Sequence, residues 1–537
     1  MKVLLVEPLY RKFPSGVISE DFDADSQTYI KERPEVKLND ESLWYPPLSL
    51  MKLARFHKDR GDEVKFVIGC DKRVTDPGQD IFNPQNQWDR VYISTLFTFH
   101  FDKIVETINF YKNAVGGSTT KIFVGGIAAS LMEKDFFEET GIYPETGVIN
   151  SPSQIGLDGD INIDLLPPDY SILNPRLYAI NDTYYGYASR GCVLKCTWCG
   201  VPKIEPQYQR FLDFKSQIYE QRRLYGDKPK LKLMDNNILA SPMLEKVVND
   251  LLELGYGKGQ KTDKGQERVI DFNQGLDATY FTEEKVKLIA QLNIKPMRVA
   301  FDRAGMKEEY IKALELAKAY GFKTFSNYML YNWKDTPRDL YERLEINIQL
   351  NEKWLNEAPE GEVPAKIYSY PMRFAPITEK EGKHANRKRD WERPLPEFNE
   401  EYPLVDKAVW NRRFIRNIQI MRGAANGAIP PAPDFARRII GHSYEEFIEL
   451  LYMPEALLRN RNKYEKKVYR YEPKRKPGNG KIEEFRSFIR SNINKPKGEF
   501  LRLQEAIFKN SKPETRKLIS EVKSKEIQQW AQLYQSH

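Results

Sequence analysis

Cysteine is almost missing from this chain: there are four in 537 residues. Three of the four fall within eight consecutive positions and leave Cys70 alone, so no disulfide framework can be built and a reducing cytosol is the expected compartment. Long apolar runs are missing as well. No stretch of about 18 apolar residues occurs, which excludes a transmembrane helix and a membrane partner. The start, Met1-Lys2-Val3-Leu4-Leu5-Val6-Glu7, is too short for a signal peptide and reads as a strand. Disorder is excluded in turn, because 41% of residues are hydrophobic and 12% aromatic, enough for cores in the several domains that this length implies.

A strong overall charge is also lacking. The net value is +7, and it is unevenly spread. From Arg461 onward there are 20 Lys and Arg against 9 Glu, so the rest of the chain is slightly acidic. The run Lys463-Tyr464-Glu465-Lys466-Lys467-Val468-Tyr469-Arg470-Tyr471, followed by Lys474-Arg475-Lys476, mixes bases with tyrosines. It reads either as a nucleic-acid surface, with bases neutralising phosphates and rings stacking, or as a solvated mobile tail.

What the chain does have is Arg190-Gly191-Cys192-Val193-Leu194-Lys195-Cys196-Thr197-Trp198-Cys199-Gly200, directly after the strand-like Tyr184–Ala188. Thiolates in C-x3-C-x2-C spacing face one inorganic centre. An iron–sulfur cubane held by Cys192, Cys196 and Cys199 leaves one of its four irons open to a small molecule. Structural zinc is the rival reading, although it asks for four protein ligands and neither a histidine nor the fourth cysteine lies nearby. Three buried thiols with no metal are the bland alternative.

Around this loop the chain alternates strands and helices. Residues 1–150 carry strands at Val3–Val6, Glu63–Ile68, Arg90–Ser94 and Lys121–Val124, with helices at Leu48–His57 and Phe101–Tyr111, the pattern of a parallel sheet covered on both faces. Residues 151–182 are rich in proline and read as an extended linker. From 183 to 378 six further strands recur, at Tyr184–Ala188, Leu231–Met234, Arg268–Phe272, Met297–Phe301, Thr324–Met329 and Lys366–Tyr370, a (β/α) barrel rhythm. Polar residues gather where those strands end: Asp235, Asn236, Asn237, Gln274, Asp302 and Arg303. Tyr328, Tyr331, Tyr368 and Arg373 end the last two strands and read as walls of a substrate pocket. Residues 379–537 leave the barrel for a mainly helical, basic region that begins with a charged linker or lid at Glu379–Pro403.

The motif C-x3-C-x-aromatic-C, with Trp198 as the aromatic, resembles the signature of the radical S-adenosylmethionine (SAM) enzymes. The order of the first 150 residues is similar to the Rossmann-like, cobalamin-binding-like domain that precedes many of their barrels. The resemblance covers about 70% of the chain and implies an α/β protein with that domain followed by a partial (β/α)6 barrel; the mainly helical region beyond lies outside it. It further implies a [4Fe–4S] cluster on the three cysteines, SAM on the open iron near Trp198, Asp235, Asn236, Asn237, Gln274, Asp302 and Arg303, hydrogen abstraction from an unidentified substrate, and a reductant such as a flavodoxin or ferredoxin. Asp235-Asn236-Asn237 stands where the family has a Gly-Gly-Glu-like segment. Cobalamin is the implied cofactor for which the sequence offers no ligand, because the Asp-x-His-x-x-Gly motif is missing and neither His57 nor His100 replaces it. The alternatives are a cobalamin-dependent methyltransferase and a nucleic-acid-binding protein with a structural metal centre.

Overall fold

The computed structural model describes residues 1–9, 22–23, 28–29, 43–75, 88–115, 117–378, 408–472, 480–493 and 498–535. The expected lid at Glu379–Pro403 and the bases Lys474–Lys476 lie outside the described residues. The chain is a mixed α/β protein with parallel sheets, and it divides into two compact units: Met1–Gln274 with Gln291–Ile294 and Pro376–Lys388, and Gly275–Ala290 with Lys295–Ala375 and Arg389–His537.

The first unit opens with β1 (Lys2–Glu7), the small antiparallel pair β2 (Phe22–Asp23) and β3 (Thr28–Tyr29), α1 (Leu48–Asp59), β4 (Glu63–Ile68), β5 (Arg90–Thr95), α2 (Phe101–Tyr111), β6 (Ile122–Gly126), α3 (Ile127–Leu131) and α4 (Glu133–Thr140). Strands β4-β1-β5-β6 form a parallel sheet. Residue alternation sends Val3 and Leu5 into one core with Leu50, Met51 and Phe56 of α1, and Leu4 and Val6 into another with Phe101, Ile104 and Ile108 of α2. A sheet buried on both faces needs a continuous apolar run, and Val3-Leu4-Leu5-Val6 supplies it.

The proline-rich stretch after residue 150 is packed, contrary to its reading as an extended linker. It winds through short 3-10 turns at Pro152–Ile155, Ile163–Leu165 and Tyr170–Ile172 and buries Ile155, Tyr170, Leu177 and Tyr178 against the α1 side of the sheet.

The first unit continues with β7 (Thr183–Gly186), α5 (Val201–Ile204), α6 (Phe214–Tyr225), β8 (Lys230–Leu233), α7 (Leu244–Glu253) and β9 (Val269–Phe272). Here β7-β8-β9 form a second parallel sheet.

In the second unit β10 (Leu276–Asp277), α8 (Glu283–Ile289), β11 (Met297–Ala300), α9 (Lys307–Ala319), β12 (Thr324–Tyr331), α10 (Pro337–Glu357) and β13 (Lys366–Arg373) build a parallel sheet in the order β10-β11-β12-β13. The six strands expected between 183 and 378 are present, three in each unit, and the second unit adds the two-residue β10. One face of the sheet is tied to its helices: Asn327 donates to the Tyr310 hydroxyl at 3.0 Å, Tyr310 to Asn347 at 3.0 Å, and Asn347 to Ser369 at 2.7 Å.

Among the described residues eight helices follow: α11 (Arg412–Arg422), α12 (Pro433–Ile440), α13 (Tyr444–Tyr452), α14 (Glu455–Tyr471), α15 (Gly480–Ile493), α16 (Gly498–Lys509), α17 (Lys512–Glu521) and α18 (Lys525–Gln532). They bury Phe414, Leu458, Phe485, Ile489, Ile507 and Trp530. For Lys463–Tyr471, the described part of the basic run, the solvated-tail reading is corrected: these residues lie on α14, whose other face is packed.

Candidate metal and cofactor site

The cysteine loop starts at a position only glycine can hold. Gly191 has φ +76°, and a Cβ there would stand 2.8 Å from the backbone oxygen of Gln207. Just before it, Arg190 exchanges backbone hydrogen bonds with Gln209, at 3.1 and 2.9 Å. The Arg190 guanidinium grips both Asp164 oxygens, at 2.9 and 2.5 Å, reaches Glu205 at 3.1 Å and lies 3.5 Å over the Tyr187 ring. Glu205 also accepts the Gly191 N–H. Asp164 takes a second cation, Lys52, at 2.9 Å. Burial alone would push its carboxyl up, but Arg190 and then Lys52 outweigh that and hold it at about 2. Burial pulls the Lys52 ammonium down.

Downstream, the loop closes on itself: the Cys199 N–H donates to the Cys196 carbonyl at 3.1 Å, and the Leu194 N–H donates to the Cys192 sulfur at 3.4 Å. Cys192, Cys196, Trp198 and Cys199 are all half-buried. Among the described residues no group of three or more His, Cys, Asp or Glu side chains closes around a single metal-ion position. A cubane takes one thiolate per iron, so its three cysteines need not converge on one point. The donor set, three soft sulfurs on one rigidly based loop, fits such a cluster.

The strand-end residues divide by what they touch. Asp235 is 3% exposed, and both of its oxygens are used inside the protein: one accepts the Ala188 N–H at 3.0 Å, the other the Ser189 N–H and hydroxyl at 2.6 Å each. Burial pushes its carboxyl up to about 6, against the pull of those donors. It therefore clamps the turn that leads from β7 into the cysteine loop. Asn236 donates to the Gly191 carbonyl at 3.0 Å, a second clamp on that loop. Asn237 is buried and Gln274 is exposed.

A network the sequence reading missed lies beside them. Lys232 donates to the Tyr45 hydroxyl at 2.7 Å, and that hydroxyl donates to Asn273 at 3.0 Å. Neither contact has a local signal, since 187 and 228 residues separate the partners.

In the second unit the strand register sorts the remaining candidates. Ser326 pairs with Arg298 and Tyr368, and Tyr328 with Ala300 and Tyr370, so Arg298, Tyr328, Tyr368 and Tyr370 share one face. The Arg298 guanidinium donates to the Tyr328 hydroxyl at 3.2 Å and the Ser326 hydroxyl at 3.4 Å. Tyr331 and Arg373 pair with each other one residue out of phase, on the side of Asn327 and Ser369 that faces the helices, where Tyr331 packs 5.1 Å from Trp410. The single pocket expected from Tyr328, Tyr331, Tyr368 and Arg373 is thus split between two faces. Arg298 was missed, although a lone charge inside the apolar strand Met297-Arg298-Val299-Ala300 was the signal for it. Asp302 accepts the Leu330 N–H at 3.2 Å, with its carboxyl pushed up by burial. Arg303 is exposed.

His57 offers no ligand: its ring nitrogens meet Asp62 at 2.7 Å and the Tyr92 hydroxyl at 3.0 Å, and burial pulls its imidazole down. His100 is half-buried against Phe99, ring centroids 4.5 Å apart.

No protein-family model matches the chain, and no curated protein does. The solved structures to which it is similar include radical SAM enzymes. OxsB, a cobalamin-dependent S-adenosylmethionine radical enzyme with aqua-cobalamin and S-adenosylmethionine bound, matches at 14% identity over 99% of this chain and 83% of its own, with a TM-score of 0.48. TsrM, a radical S-adenosylmethionine methyltransferase from Kitasatospora setae with tryptophan and a SAM analogue bound, matches at 14% identity over 70% of this chain and 73% of its own, TM-score 0.47. SuiB from Streptococcus suis, bound to its precursor peptide SuiA, matches at 14% identity over 66% and 73%, TM-score 0.29. No helix among the described residues is long and apolar enough to cross a membrane.

Proposed function

We propose that this chain is a radical SAM enzyme that modifies its substrate by hydrogen abstraction. The observation that carries the reading is the cysteine loop itself: three thiols, with no histidine or fourth cysteine near them in sequence, on a base fixed by Arg190, Asp164 and Glu205. Cys192, Cys196 and Cys199 would hold a [4Fe–4S] cluster. With SAM on its open iron, such a centre supplies the electron that cleaves the cofactor and so the hydrogen abstraction. Everything else is done by the chain. Arg190 and Gly191 set where the loop begins, Asp235 and Asn236 fix its entry, and Leu194 donates to one ligand sulfur. We read Trp198, Asn237 and Gln274 of the first unit as candidate cofactor contacts and, within the second unit by itself, Asp302 and Arg303 as strand-end residues and the face carrying Arg298, Tyr328, Tyr368 and Tyr370 as a candidate substrate face.

The domain reading that goes with this is a Rossmann-like domain to residue 150, a connector to 182, a partial barrel over 183–378 and the helical region beyond. An electron donor of the flavodoxin or ferredoxin class and a cytoplasmic setting belong to the same proposal.

A second reading, with cobalamin at the first sheet, draws on one observation: Leu9, Phe97 and Ile127, which follow β1, β5 and β6, are all exposed at about 41%, and ligands of open α/β sheets bind at the carboxyl ends of their strands. A cobalt-ligating histidine is not part of it, since His57 is spent.

The test of the first reading is substitution of Cys192, Cys196 or Cys199 by Ala in anaerobically reconstituted protein. Each should lose the iron of the parent and its charge-transfer absorbance. Full iron retention in any one of them would remove that residue from the ligand set.

A further inference from the structure

Helix α14 sorts its charges by sign. Its two acids in the packed part, Glu455 and Glu465, are buried, at 8% and 0% exposure. Glu465 faces Arg438 at 3.1 Å, and Glu455 faces Arg416 at 3.1 Å and Arg413 at 3.6 Å. Through Tyr471 the exposed residues of the helix are Arg459, Asn460, Lys463, Lys466, Lys467, Arg470 and Tyr471: five bases, one amide and one ring. Arg459 reaches no closer than 3.7 Å to Glu455, and Lys466 donates to the Ala424 carbonyl at 3.1 Å. Among the described residues Lys463, Lys466, Lys467 and Arg470 pair with no carboxylate. From Arg459 to Arg470 the bases recur every three or four residues, a rail about 16 Å long on one side of the helix. The tyrosines do not join it: Tyr469 stacks on Phe435 at 4.8 Å, and Tyr464 is half-buried.

We propose that this outward face of α14 is a docking surface for the phosphodiester backbone of a nucleic acid. An ordinary solvated helix face interleaves both signs, whereas here both acids of the helix are turned inward onto Arg438, Arg413 and Arg416 and every charged residue exposed up to Tyr471 is a base, the exposed Glu472 coming only at the helix end. A membrane-surface helix needs large apolar side chains beside its bases, and a specific protein interface needs an apolar or aromatic centre. This face has neither before Tyr471. Phosphates are the partner that asks for charge alone, since each one neutralised releases counterions. With two of the three tyrosines turned away, binding works through the backbone and not through stacked bases, so a duplex suits it better than a single strand.

The test uses the full-length chain with a fluorescent 20-base-pair DNA duplex and its RNA counterpart, read by anisotropy between 50 and 200 mM salt. Five phosphate contacts predict a salt slope of about −4.5 and an affinity loss of about 500-fold across that range. Lys463→Gln with Lys467→Gln, both at exposed positions, should lower the slope by about 2 and bring the loss to about 40-fold, while Lys463→Arg with Lys467→Arg should keep the parent values. Binding of either duplex with these slopes supports the proposal, and the two arms tell RNA from DNA. No binding at 50 mM salt, an unchanged slope in the Gln variant, or polyglutamate of equal charge binding as tightly as the duplexes would overturn it, the last by pointing to an acidic protein.

Discussion

The cysteine loop and helix α14 use the same device to opposite ends. In both, largely buried arginines face buried or half-buried carboxylates: Arg190 with Asp164 and Glu205 in one, Arg438 with Glu465 and Arg413 with Glu455 in the other. At the loop the pairs pin a backbone turn so that sulfur side chains stand half-exposed beyond it. At the helix they draw the acids inward and leave a surface of one sign. Burying charge costs several kcal/mol per ion unless each partner is well placed. Such an arrangement is therefore informative for what it positions more than for the stability it adds.

The largest expected effects come from breaking one pair in each region. Asp164→Ala leaves Arg190 with Glu205 alone and takes the carboxylate from Lys52, and Glu465→Ala leaves Arg438 with Asp434 alone; each should cost less in denaturant unfolding than the about 3–5 kcal/mol of a wholly unpaired buried charge. The comparison predicts that they part on a second readout. Asp164→Ala should lose reconstituted iron to a chelator quickly, whereas Glu465→Ala should hold it as the parent does. Equal retention in both would mean that the pairs around Arg190 are ordinary core contacts with no bearing on the loop.

Asp235→Ala sharpens the point. Three donors on Ala188 and Ser189 would lose their acceptor, so a loss of about 1–3 kcal/mol in stability is expected, together with faster iron release. A residue that contacted only the SAM ammonium would leave unliganded stability unchanged, and that result would return Asp235 to the cofactor.

How much of this was legible beforehand follows from the range of each signal. Each of the six strands expected between 183 and 378 was readable, because apolar runs and alternation are local signals. Asp164 and Glu205 were not, since they meet Arg190 from 26 and 15 residues away, and Tyr45 meets Lys232 across a still longer separation. Tyr331 and Arg373 were placed with Tyr328 and Tyr368 because all four end the same strands; only the register puts them on the other face. The basic segment looked like a tail because its tyrosines and bases alternate in sequence. A 3.6-residue winding separates what reading along the chain had mixed, and a cut at Asn460 would sever α14 between the buried Leu458 and Arg461.

The smallest effect is expected at Cys70. It follows β4, its thiol is pushed up by burial, and Thr107 is its hydrogen-bond partner. Cys70→Ser should keep iron content and stability within experimental scatter. A drop in iron would bring a fourth sulfur into the centre and undo the separation between ligand and bystander cysteines.

The central claim is met most directly by one measurement on the intact chain. After anaerobic reconstitution the protein is assayed for iron, then mixed with SAM and a strong reductant, and 5′-deoxyadenosine is followed by mass-resolved chromatography. About four irons per chain are expected from a cubane on the three cysteines, with 5′-deoxyadenosine accumulating only when reductant is present. One tightly held zinc per chain, no iron and no 5′-deoxyadenosine would contradict the account.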